Sequence, residues 1–261
     1  TFQAKYNDRA IEEGEKLHKT NPEQYTLHRR LAWAYAEKGE YQHSYDHSKE
    51  LFDALEKNKE RATYPSDYDY WGKAAFKLGL IDEAAHIYRK YLELDPSRSL
   101  EINGMLAKGY FDAKNYEQAA KYYLLKGAEK PLSVADNYYL GLSYFYMDQN
   151  VKSDSVFIKV LEVTPDYAPG WMMRARVGNR MDTAETKLFL AKEPYENYIK
   201  YASGDPVKNK KNLMEAYKYL GWYYVQKEDN VMAKQYYDKA LELDPADKET
   251  MEIIAILKGQ R

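Results

Sequence analysis

The chain has 261 residues, with 41 acidic and 39 basic side chains, a net charge of -2 and an isoelectric point near 6.2. A balance so close to neutral lacks the basic excess of a general nucleic-acid binder, and no apolar run approaches the ~20 residues that cross a bilayer as a helix. The absence of cysteine excludes disulfides, thiolate metal sites and cysteine nucleophiles.

Read along the chain, the sequence predicts helices throughout and no strands. Residues 1–23 form one helix, with Ala10, Leu17 and Pro22 in phase. Residues 25–56 make a helix pair carrying Leu31, Ala32, Tyr35, Gly39 and Tyr41. A short insertion from Lys57 to Tyr64 precedes the unit at 65–98, whose helix start reads as Ser66 with Asp69 three residues on. Units at 100–133 and 134–167 follow in register. Residues 168–213 are irregular: a first helix over Trp171–Arg180, an insertion over Asp182–Lys192, and a second helix over Tyr195–Tyr201. A regular unit covers 214–247, and residues 248–261 place Met251, Ile254 and Leu257 on one face of a final capping helix.

The units repeat a phrase. Tyr217, Leu220, Gly221 and Tyr224 are followed by Ala233, Tyr237, Ala240 and Pro245; Leu140, Gly141 and Tyr144 are followed by Phe157, Val160 and Pro165. Leu106, Ala107 and Tyr110 precede Ala119, Tyr123 and Pro131, and Gly72 precedes Ala84, Tyr88, Tyr91 and Pro96. Pro96 to Pro131 is 35 residues and Pro131 to Pro165 is 34. Small residues at these steps let two helices approach closely, large ones face the neighbour, and each proline ends a second helix because it cannot supply an N–H inside one. The 28 tyrosines are expected to fill the large packing positions with their hydroxyls reaching the surface.

These residues resemble the tetratricopeptide repeat (TPR), a helix–turn–helix unit of ~34 residues. The resemblance covers nearly the whole chain as a single array and implies an all-α, right-handed superhelical solenoid of antiparallel helix pairs. It also implies a non-enzymatic protein-interaction scaffold without cofactor. The stretch from Trp171 to Tyr201 is similar to the longer repeat of TPR proteins in bacterial cell envelopes, which implies a periplasmic or envelope setting, with the cytoplasm as the alternative. A start at Thr1 in mid-repeat predicts a piece of a longer protein. A structural subunit of an envelope assembly, or an accessory domain of a protein whose activity lies elsewhere, remains an alternative function.

Catalytic and metal-binding patterns are weak. His43 and His47 share a helical face, but no glutamate sits beside His43 and no third ligand is apparent, so both are expected to be polar surface residues. His18, His28 and His86 are expected to be isolated and solvated. Asp67 and Asp69 suit the positive end of a helix, and Lys208, Lys210 and Lys211 read as a solvated connection. No metal or cofactor site is expected.

In the family, set positions of each first helix point into a concave groove. The resemblance places Arg29, Trp33, Lys73, Phe76, Lys77, Lys108 and Phe111 there, then Tyr138, Leu142, Phe145 and Tyr146, then Lys218 and Trp222, with Arg176 and Arg180 as additions. Aromatics interleaved with cations predict a protein or peptide partner of acidic character. The slots of the carboxylate-binding TPR subgroup hold Arg29, Trp33, Tyr70, Glu101 and Met105 here, only one of them cationic, so that specificity does not carry over.

Overall fold

Five helix pairs are closed by the same hydrogen-bonded turn. The backbone N–H just after the corner residue that follows the first helix reaches back to a carbonyl five residues earlier, in Glu40 to Tyr35, Leu80 to Ala75, Asn115 to Tyr110, Gln149 to Tyr144 and Asp229 to Tyr224, at 2.9–3.0 Å. This Schellman geometry needs a left-handed residue at the corner. Gly39 and Gly79 occupy it with φ near 80°, and Lys114, Asp148 and Glu228 adopt it at φ 58–60° despite their side chains.

The computed structural model describes residues 2–57, 62–183 and 185–259, with only the backbone of residues 2–5. Two compact units divide the chain: Thr1–Asn115 with Leu124–Lys130, and Tyr116–Tyr123 with Pro131–Arg261. The first holds α1 (Phe2–Thr20), α2 (Tyr25–Lys38), α3 (Tyr41–Glu56), α4 (Pro65–Lys77), α5 (Ile81–Leu94), a 3-10 turn (Pro96–Arg98) and α6 (Ser99–Asp112). Helix α7 (Tyr116–Glu129) contributes to both. The second unit continues with α8 (Val134–Tyr146), α9 (Asn150–Val163), α10 (Ala168–Met181), α11 (Lys192–Ala202), α12 (Lys210–Gln226), α13 (Asn230–Leu243) and α14 (Lys248–Gly259). The fold class is the all-α solenoid: within each unit the helices pack on their successors in sequence, α1 through α6 and α8 through α14, and first helices also touch the next first helix, α2 on α4 and α8 on α10.

The repeated positions explain the pairing. The fourth residue of each regular second helix is Ser44, Ala84, Ala119, Ser153 or Ala233, and all five are fully buried. Where it is serine, the hydroxyl donates to a first-helix carbonyl, Ser44 to Ala32 at 2.8 Å and Ser153 to Gly141 at 2.9 Å, so the extra polar atom is satisfied. Many tyrosines do pack as large residues, and several of their hydroxyls are tied to carboxylates. Tyr35 donates to Glu15, Tyr110 to Asp82 and Tyr195 to Glu215, at 2.8–3.0 Å.

Three local expectations are corrected. Helix α4 starts one turn position earlier than Ser66: Pro65 takes the first helical position, so the residue that accepts the Tyr64 N–H, at 2.9 Å, is Asp67, and Asp69 instead binds Arg98 at 2.7 Å. The second helix of the irregular unit begins at Lys192 rather than Tyr195, and α12 begins at Lys210, ahead of residue 214. Of the Lys57–Tyr64 insertion, residues 58–61 lie outside the described residues, as do Ala184 in the second insertion and residues 260–261 of the expected cap.

The insertion between α10 and α11 is folded against the helices. The Asp182 carboxylate accepts the backbone N–H groups of Leu188 at 2.8 Å and Phe189 at 2.6 Å, closing the loop on itself. Gly178 permits this path, because a Cβ there would lie 2.9 Å from the Leu190 carbonyl carbon.

Candidate functional site

In the first unit the groove residues differ sharply in what they can offer a partner. Arg29 is already engaged: its guanidinium holds Asp67 in a bidentate pair at 2.7 and 2.9 Å, donates to the Ala62 carbonyl at 3.0 Å and lies over the Tyr64 ring. The Asp67 side chain is only 1% exposed, so this is a structural ion pair tying α2 to the start of α4. The charge of Arg29 is thus already met by a carboxylate of the chain itself. Lys73 lies 3.6 Å from Glu37, and Lys108 pairs with Asp112 one turn on. Phe76 packs into the space left by Gly109, where a Cβ would stand 2.6 Å from the ring. Phe111 is half-buried, Lys77 is exposed, and Trp33 is half-buried with Tyr6 nearby, ring centroids 6.3 Å apart.

The second unit corrects Phe145 most clearly. It is 7% exposed and covered by Arg180, whose guanidinium carbon sits 3.5 Å from the ring centroid while one nitrogen donates to the Phe145 carbonyl at 2.8 Å. This cation–π cover takes Phe145 out of the accessible set, while the Arg180 side chain itself stays 43% exposed. Leu142 is also buried, and Tyr138 packs edge-on against Phe157 and Tyr167. Tyr146 is exposed and stacks on Tyr116. Arg176 holds Glu215 through two nitrogens at 2.8–3.0 Å and reaches Asn212. Lys218 bridges Asp247 and Glu249, each at 2.7 Å; burial lowers its pKa, but the two carboxylates outweigh it and hold the ammonium above the ordinary lysine value.

Trp222 stands apart. It is 40% exposed on α12, with Tyr219 at 5.5 Å and Phe189 at 5.7 Å between ring centroids. Phe189 comes from the insertion loop, packs edge-on against Tyr223 at 4.9 Å and carries the Lys227 ammonium over its ring at 4.6 Å. Beside it, Leu188 is 65% exposed. Sequence reading set Trp222 in the groove but missed Phe189. The loop's apolar Leu188-Phe189-Leu190 string was the available signal.

The histidines also differ from expectation. His28 and His47 are buried, with side chains 3% and 9% exposed, and His18 packs edge-on against both, at 4.9 and 5.4 Å between centroids. Helices α1, α2 and α3 each bring one ring to this point, with Glu15 and Glu50 beside them. His43 is exposed and stacks on Tyr35, and His86 is exposed.

Comparison with known proteins agrees with this architecture. The tetratricopeptide repeat model matches residues 214–247, and a second tetratricopeptide repeat model matches 72–98. The C-terminal part of a TPR repeat-containing protein from Cytophaga hutchinsonii is 30% identical, with 96% of each chain covered and a TM-score of 0.67. The chain belongs to the TPR proteins. At the level of fold alone, this TPR chain is also similar to MamA (24% identity, 68% of this chain and 96% of that one, TM-score 0.52). YrrB, described as a TPR protein with an unusual peptide-binding site, is 19% identical over 77% of this chain and 96% of its own, with a TM-score of 0.53. No curated protein sequence matches.

Proposed function

We propose that this TPR protein is a non-enzymatic interaction scaffold that docks a segment of another protein against its first helices, with Trp222 as an anchoring contact. The observation that carries the reading is the solvent exposure of Trp222 among Tyr219, Phe189 and the exposed Leu188. A large ring left 40% exposed on a helix whose other large residues are packed is the kind of side chain on which interface energy concentrates. Trp33 on α2 offers a second, smaller aromatic surface in the first unit. YrrB's description as a peptide-binding TPR protein supports the same class of partner.

The partner's acidic character is not part of this reading. Arg29, Arg176 and Lys218 are spent on carboxylates of the chain itself, and Arg180 covers Phe145. Contact is therefore chiefly aromatic and apolar, with modest salt dependence.

The test is site-specific photocrosslinking in cells, with the photoreactive residue at position 222 or 33 and, as controls, at the exposed second-helix positions Val151 and Val231. Adducts to the same partner from 222 and 33, absent from 151 and 231, are expected. Adducts from the second-helix positions alone would overturn the assignment. With the partner in hand, Trp222→Ala is expected to weaken binding by about 2 kcal/mol, roughly thirtyfold.

A further inference from the structure

The histidine cluster poses a chemical problem that its hydrogen bonds make explicit. The His28 Nε2 lies 2.7 Å from the Pro22 carbonyl, which can only accept, so this nitrogen carries the proton. The His47 Nε2 lies 3.2 Å from Glu15, another acceptor, so the same holds there. In the neutral imidazoles both Nδ1 atoms are then lone pairs. They face each other at 3.2 Å, and the Glu50 Oε2 stands 2.9 Å from one and 3.4 Å from the other. Three acceptors converge with no donor between them. A fourth follows: the His18 Nδ1 is buried without a hydrogen-bond partner, and ligand atoms of His18, His28 and Glu50 all lie within 4.8 Å of one another.

We propose that His18, His28, His47 and Glu50 form a binding site for a divalent transition-metal ion, zinc by its geometry. A tetrahedral zinc with bonds near 2.0–2.1 Å sets its ligand atoms about 3.3 Å apart. The three measured separations, 2.9, 3.2 and 3.4 Å, bracket that edge length. Closure needs the His18 ring, packed edge-on against both other imidazoles, to draw in from ligand-atom separations of up to 4.8 Å from His28 and Glu50. Three nitrogens and one carboxylate oxygen suit zinc, and the outer hydrogen bonds to Pro22 and Glu15 fix ring orientation and tautomer as partners of metal-bound imidazoles do.

The surroundings favour a cation. A cleft of about 300 Å³ leads from solvent to His18, His28 and Glu50; its rim carries Glu23 and Asp53 against one cation, Lys57. The ligands come from three helices, so the ion would staple α1 to the α2–α3 pair and couple metal binding to the order of this end of the chain.

The experiment uses the whole chain, stripped with chelator and titrated with cobalt(II) followed optically, then with zinc in competition. One equivalent of cobalt giving intense tetrahedral ligand-field bands, displaced by zinc, is expected. His28→Gln and His47→Gln should each weaken cobalt binding at least tenfold, and so should His18→Gln and Glu50→Gln, which change more exposed side chains and keep the proposal testable if a buried variant misfolds. His43→Gln and His86→Gln should bind as the parent does. No stoichiometric cobalt binding by the parent chain, an octahedral spectrum, or binding indifferent to His18→Gln and Glu50→Gln would overturn the site.

Discussion

The five left-handed turn corners allow a controlled test of what holds the repeats together. Gly79 has φ near 80° and no heavy atom within 4 Å of where a Cβ would stand, so Gly79→Ala changes backbone preference without a clash. Forcing an L-residue into this region costs ~1–2 kcal/mol, and the stiffer unfolded chain returns ~0.4–1 kcal/mol. The expected net loss is about 1 kcal/mol. Glu228 is the mirror case: it holds φ 59° with a side chain, so Glu228→Gly should relieve the same strain and lose the same entropy, a gain of roughly 0.5–1 kcal/mol. Urea unfolding followed by far-ultraviolet circular dichroism reads both as opposite shifts of midpoint at unchanged slope. A stabilised Gly79→Ala or a destabilised Glu228→Gly would refute the view that corner conformation governs these turns.

Further outcomes follow from the packing and the ion pairs. Ala233 is fully buried against α12, so Ala233→Leu should overpack the pair and cost roughly 1–3 kcal/mol in the same assay. Asp67→Asn should cost roughly 2 kcal/mol, because it leaves the Arg29 guanidinium without its buried counter-charge; a neutral result would mean that the pair is ornamental. Asp247 is held below the ordinary carboxylate range by hydrogen bonds from Lys218 and Thr250. Its folded form therefore binds fewer protons than its unfolded form, so its stabilising contribution is present above the ordinary aspartate value, ~3.9, and is lost as pH falls through the lowered one. Asp247→Asn should flatten that acid limb in a pH series of thermal melts.

The fold was legible because its determinants are local and periodic. The buried small residue four places into a second helix and the proline after it can be read from Ala84 or Ala233 and from Pro96 or Pro245, without knowing what lies across the interface. The corner at Gly39 or Gly79 announces itself; the same corner at Lys114, Asp148 or Glu228 does not, since the turn geometry there overrides residue preference. The site was less legible for a different reason. Periodicity gives the face on which a residue stands, not what the next helix does with it. Arg29 meets Asp67, and Phe145 disappears beneath Arg180, partners 38 and 35 residues away. The histidine cluster is the extreme case. His28 and His47 are 19 residues apart, and only the packing of α1 on the α2–α3 pair adds His18 to them.

The most direct test of the scaffold reading is hydrogen–deuterium exchange of the chain alone and with its crosslinked partner. Binding along the first helices predicts added protection in α12 around Trp222 and in the adjoining Phe189 loop, with α13 and α9 unchanged. Protection confined to the second helices α5, α9 and α13 would contradict it.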